Sequence, residues 1–151
     1  MQNSDVVEVS RMPKFILIIL CVQLLVVLFL YKEVIDITFF CILTPIILLL
    51  LLLRLKIHLH PEYLEYQFFP FHFKKKRIYW NEVATVQIVK IDPITDFWGW
   101  GLRYSKKYGI SYVLGNDHGL FVVLKNEKRR TFTIKNKESI KSFLDKNNIN
   151  H

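Results

Sequence analysis

Cysteine is scarce in this sequence: there are two, Cys21 and Cys41, and both lie inside apolar runs. That count excludes a disulfide framework, and nothing argues for an oxidising compartment. If the two runs pair antiparallel, Cys21 stands about 10 Å from the inner end of the first and Cys41 about 20 Å from that of the second. That offset exceeds disulfide reach, so both read as small packing residues. Acidic residues are also few, 13 Asp and Glu against 21 Lys and Arg, for a net charge of +8. They are scattered singly, which gives no paired carboxylates for acid–base work. Ser105, Ser111, Ser139 and Ser142 have no elbow context such as G-x-S-x-G. Gly99-Trp100-Gly101 is too short and aromatic to cradle phosphate and reads as a strand bend. The expectation is a chain that is not an enzyme, with no catalytic residues and no cofactor.

Metal ligands are equally sparse. His58 and His60 lie two apart on one strand face, with His72 on a candidate neighbouring strand, but no Cys or third carboxylate joins them. A polar strand face accounts for them, and no metal is expected. His118 is expected in a turn. No RRM, KH or zinc-finger pattern accompanies the basic residues, so nucleic acid is not an expected partner.

What is abundant is apolar: 52% of the residues are hydrophobic, and they are segregated from the charges. From Arg54 onward there are 18 Lys and Arg against 9 Asp and Glu; before it there are 3 against 4. Phe15–Tyr31 is apolar apart from Gln23, and Ile37–Leu53 apart from Thr38 and Thr44. Each run is about 17 residues, the short end of what spans a hydrocarbon core, and snorkelling Lys14, Lys32 and Arg54 would extend it. Asp5 and Glu8 upstream, with no A-x-A-like site downstream, exclude a cleaved signal peptide. Pro45 would kink the second run, with Thr44 able to rebond the freed backbone. The reading is a transmembrane helical hairpin over 14–54, with spans at about 15–31 and 37–53. Arg11 and Lys14 before it, Arg54 and Lys56 after it, and the link Lys32–Asp36 place both termini in the cytoplasm by the positive-inside rule. Residues 1–13 then form an N-terminal tail.

Past the hairpin the period becomes two. Leu55, Ile57 and Leu59 alternate with Lys56, His58 and His60, and Leu64, Tyr66 and Phe68 alternate with Glu65 and Gln67. Further β-rich runs lie at 73–80, 83–91, 102–104, 110–114, 120–124 and 130–134, with breaks at Asp92-Pro93, 99–101, 115–119 and Asn126-Glu127. Then Asn136 reads as an N-cap, with Ile140, Phe143 and Leu144 on one helical face. Many short strands before one amphipathic helix predict a small barrel or sandwich with one end closed by that helix, over 55–147, and a tail at 148–151.

The hairpin, the run Gly99-Trp100-Gly101-Leu102-Arg103, the segment GLFVVLKNEKRRTFTI and the closing helix together resemble the bacterial pleckstrin-homology-like (PH-like) membrane proteins. The resemblance covers roughly residues 55–145 and extends to the hairpin. It implies a seven-stranded, strongly bent barrel-like sandwich with a C-terminal helix, it implies no catalytic residues, and with the hairpin it implies a bacterial inner membrane. The eukaryotic phosphoinositide-binding pattern is not evident.

The residues that stand out as a candidate site are basic and aromatic. Lys74-Lys75-Lys76-Arg77 is the densest charge, and Phe71, Phe97, Trp98 and Trp100 accompany it along the chain. Strand counting brings these back beside Arg54 and Lys56, where a bilayer with anionic headgroups would attract them, at about 1 kcal/mol per basic residue. The same run also satisfies the positive-inside bias or a merely solvated strand face. The expected function is a membrane-anchored PH-like interaction module binding a membrane-protein partner, itself as a homo-oligomer, or anionic lipid in the bilayer. The alternatives are an accessory subunit bound through its hairpin and an uncharacterised membrane enzyme.

Overall fold

The computed structural model describes residues 5–30 and 37–149. The chain is mostly β. A four-stranded antiparallel sheet holds β1 (Val6–Arg11), β2 (Arg54–Leu59), β3 (Tyr63–Phe69) and β4 (Lys76–Tyr79), in that order. A five-stranded sheet holds β5 (Val83–Lys90), β6 (Gly101–Ser105), β7 (Gly109–Val113), β8 (His118–Leu124) and β9 (Arg129–Ile134), ordered β5-β8-β9-β7-β6, with β7 and β9 parallel. The expected run 73–80 shrinks to β4 followed by a short 3-10 turn, Trp80–Glu82. The five-stranded order and the parallel pair also go beyond a simple seven-stranded sandwich.

The inward faces of β2 and β3 are the apolar halves of their alternation. Leu55, Ile57, Leu59, Leu64 and Phe68 are buried, and they meet Val122, Phe132 and Ile134 of the second sheet. At the centre, Tyr66, Tyr112 and Phe132 form an aromatic stack, with the Tyr112 and Phe132 rings parallel to within 1° at 5.1 Å. The helix α3 (Lys137–Lys146) closes the core with Ile140, Phe143 and Leu144, and the Asn136 side chain accepts the Ser139 N–H as its cap.

Two further helices, α1 (Lys14–Leu30) and α2 (Ile37–Leu52), occupy the apolar runs. They correct the sequence expectation. At 17 and 16 residues they extend about 26 and 24 Å, short of a hydrocarbon core of about 30 Å. Among the described residues no helix is long and apolar enough to cross a membrane. The physical reason lies at the ends. Arg54, counted as a snorkelling flank, is the first residue of β2, and Leu53 is buried in the β core with Leu50 packed against it. The transmembrane hairpin, the membrane-anchored module and the inner-membrane placement with its topology are overturned on this finding. The link Lys32–Asp36 lies outside the described residues. Phe15, Ile18, Val22 and Leu25 of α1 and Ile46, Leu48 and Leu51 of α2 are exposed, an apolar surface of the kind that marks a contact site.

The N-terminal segment is not a tail: it is β1, paired with β2 throughout, so the β domain is assembled from both sides of the helices. Its pattern is inverted. Val7 and Val9 face outward while Glu8 and Ser10 are buried. Glu8 accepts the Lys135 N–H at 2.9 Å and the Asn136 N–H at 2.8 Å, at the N-terminus of α3, where a negative charge is favoured. Ser10 Oγ accepts from the Asn116 side chain at 3.1 Å. Glu8→Ala leaves two amides unsatisfied and is expected to cost about 1–3 kcal/mol, read as a lower urea midpoint at unchanged m-value.

Candidate functional site

β1 runs directly into α1 and α2 into β2, so both helices leave the β domain at one pole. There Arg54 stands opposite Arg11 on one side and Phe69 on the other, and Lys56 stands opposite Val9 and Gln67. Residues paired in register share a face, so Arg11, Arg54 and Lys56 all point off the outer side of the sheet. Lys14 from the start of α1 and Lys135 from the end of β9 join them around an open cleft of about 740 Å³. Among the described residues its lining contains these five cations and no carboxylate. Among the described residues none of the five is in an ion pair.

An aromatic rim adjoins the cleft. Phe71 stacks on the buried Phe68 at 5.6 Å, and Phe73 meets Phe69 edge-on at 6.0 Å, both with exposed outer faces. Trp100 contacts Phe15 of α1 at 6.2 Å. Trp98 is 90% exposed at a bend where Gly99 and Gly101 also take positive φ. Phe97 is different: it is buried with Ile91, Tyr108 and Val113 in a second apolar cluster and is part of the fold.

The basic run is divided by its contacts. Lys75 and Arg77 clasp the buried Glu65 at 2.7 and 3.0 Å. The hydrogen bond from Lys75 and then that from Arg77 hold this carboxyl below its ordinary value, against the opposing effect of burial. Arg77 also lies over the Tyr63 ring at 4.8 Å. Among the described residues Lys74 and Lys76 of the run are in no ion pair.

The histidines do not converge. His58 contacts Asp5 at 3.3 Å, His60 stacks on Tyr63 at 4.6 Å, and His72 packs against Tyr66 and Tyr112 at 6.0 and 5.7 Å. Among the described residues no three His, Cys, Asp or Glu gather as metal ligands. Ser111 Oγ is spent on the Gly109 carbonyl at 3.2 Å.

Burial, with Lys76 and Arg130 nearby, lowers the His72 pKa, so the folded chain keeps this ring neutral. The unfolded chain takes up the proton first on acidification. Stability is therefore complete above the ordinary histidine value of about 6.5 and falls as pH drops below it. Melting curves from about pH 7.5 to about 5.5 should show this loss in the wild type, and His72→Phe should flatten it.

A second basic groove, of about 870 Å³, lies at the opposite pole and includes Lys106, Lys125, Lys128, Arg129 and Arg130 with Glu127. Its arginines are engaged: Arg129 donates to the Lys106 and Lys107 carbonyls, and Arg130 donates to the Tyr66 hydroxyl. Sequence reasoning singled out neither this groove nor the roles of Arg11, Lys14 and Lys135. The signal for the latter is the register of β1 on β2, which the inverted pattern of β1 conceals.

No protein-family model matches the chain, and no curated protein or solved structure does either.

Proposed function

We propose that this chain is a non-catalytic interaction module whose binding surface is the pole where the helices leave the β domain, and that its partner is anionic. One observation carries the reading: five cations, Arg11, Lys14, Arg54, Lys56 and Lys135, line a single cleft with no carboxylate among them. Charges left uncompensated on a folded surface raise the local concentration of the opposite charge and speed its association. The apolar surfaces of α1 and α2 adjoin the same pole, with Trp100 against Phe15 of α1 and the exposed Phe71 two residues beyond the Phe69 that faces Arg54, so a partner meets cationic and apolar surface together. Aromatic and arginine side chains in such a setting supply much of the binding energy at interfaces. In this reading the two-sheet domain with its closing helix is a docking scaffold rather than an enzyme.

Crosslinking capture with the full chain tests this. Arg11→Gln/Arg54→Gln/Lys56→Gln/Lys135→Gln should lose the partners that the wild type captures. Lys106→Gln/Lys125→Gln/Lys128→Gln, at the far pole, should keep them. Capture that survives the first set and fails with the second would move the surface to the opposite groove. Nucleic acid as the captured species would change the partner class.

A further inference from the structure

We infer that the Arg11–Arg54 pair forms a binding site for a phosphate-class oxyanion, a phosphomonoester dianion in particular; this inference rests on the proposed function and names its ligand chemistry. Two arginines directly opposite in an antiparallel ladder repel one another, and like charges so placed destabilise a sheet. Elsewhere this fold compensates such charge. Lys75 and Arg77 share the buried Glu65, and Arg129 and Arg130 are tied to carbonyls and to a phenol. Among the described residues no ion pair compensates Arg11 or Arg54, and Lys14, Lys56 and Lys135 add three more charges around the same space; the carboxylate of β1, Glu8, is taken up by the Lys135 and Asn136 amides.

The polar side of the cleft is already committed inward. The Asn116 amide donates to Ser10 Oγ at 3.1 Å and to the Leu114 carbonyl at 3.3 Å, which leaves the cations as the free donors. The first turn of α1, which opens beside them, carries no acidic residue. Two forked guanidiniums and three ammonium groups exceed what one carboxylate neutralises. They match a group with several oxygens and about two negative charges, to which arginine donates in parallel pairs. A soluble phosphate compound and a phosphate-bearing lipid headgroup present the same chemistry.

The test uses the full chain, first in non-ionic detergent, which covers the apolar helices, with inorganic phosphate as the probe, and then, after the detergent is removed, with phosphatidylcholine vesicles with or without phosphatidate. Phosphate should raise the melting temperature of the wild type. Arg11→Gln or Arg54→Gln should weaken that response about tenfold, and the double variant should abolish it. Without ligand, both variants should melt at the same temperature as the wild type or higher, because a repulsive pair has gone; a merely structural role predicts a fall. Lys125→Gln/Lys128→Gln should change nothing. A response to soluble phosphate supports the site and assigns it a soluble ligand, whereas binding confined to phosphatidate vesicles supports it and assigns a headgroup. The inference is overturned if neither probe binds, or if binding ignores Arg11 and Arg54. Partner capture that still depends on those arginines would then leave the proposed function standing.

Discussion

Replacing Phe132 by alanine is expected to remove about 3–5 kcal/mol of folding stability and to lower the melting temperature by about 10 °C or more. Phe132 is fully buried on β9, with the Tyr112 ring parallel to it at 5.1 Å and the Tyr66 ring at 4.7 Å. Tyr66 belongs to the first sheet and Tyr112 to the second, so this ring fills the space where the sheets meet. Truncation leaves a cavity that β strands on both sides, fixed by their ladders, can close only in part. The aromatic geometry is lost as well, worth about 0.5–1.5 kcal/mol per pair beyond area. Phe132→Leu should recover a large share of the loss. Equal melting temperatures for the alanine variant and the wild type would mean that the stack is not the keystone described here.

The second large effect is expected at Gly109. Its φ is +68°, and a Cβ there would lie 2.2 Å from the Arg129 carbonyl oxygen and 2.7 Å from the carbonyl carbon. The conformation alone costs a non-glycine residue about 1–3 kcal/mol, and here the obstacle is backbone, which cannot swing aside like a side chain. Gly109→Ala must push β7 away from β9 where the parallel pairing of Ile110 with Arg130 begins. A loss of about 3 kcal/mol or more in denaturant midpoint stability is expected. Amide exchange should rise first in residues 109–113 and 129–132, before the first sheet responds. A variant as stable as the wild type would show that β7 and β9 are not held this close.

How much of this was legible in the sequence depends on the distance over which each feature is encoded. Leu55, Ile57 and Leu59 alternate with polar residues, and that local period yields β2 directly. Asn136 with Ile140, Phe143 and Leu144 yields α3 for the same reason. The apolar runs were legible as helices, but their reach was not. Leu53 serves the β core and Arg54 begins a strand, so the run that looked like a span ends inside the domain. β1 was hidden because its buried residues are the polar ones, Glu8 and Ser10, whose partners lie beyond residue 115.

The site divides along the same line. Arg54 and Lys56 were visible as flanking charges, and Trp98, Trp100 and Phe71 as aromatics at a turn. That Lys75 and Arg77 are consumed by Glu65 is a cross-strand fact, set by the register of β3 on β4. Phe97 is core for a tertiary reason: the loop after β5 folds it under Tyr108. The facing of Arg11 by Arg54 needs β1, whose buried polar residues give no strand signal in the sequence.

The most direct measurement of the central claim is site-specific photo-crosslinking in cells, with the reactive group placed in turn at Lys56, at Trp98 and at Lys128. An adduct from positions 56 and 98 that disappears in the Arg11→Gln/Arg54→Gln chain, with none from 128, is the result predicted for a module that docks through its helix-bearing pole. Adducts from 128 alone, or adducts at 56 and 98 that persist without the two arginines, would contradict it.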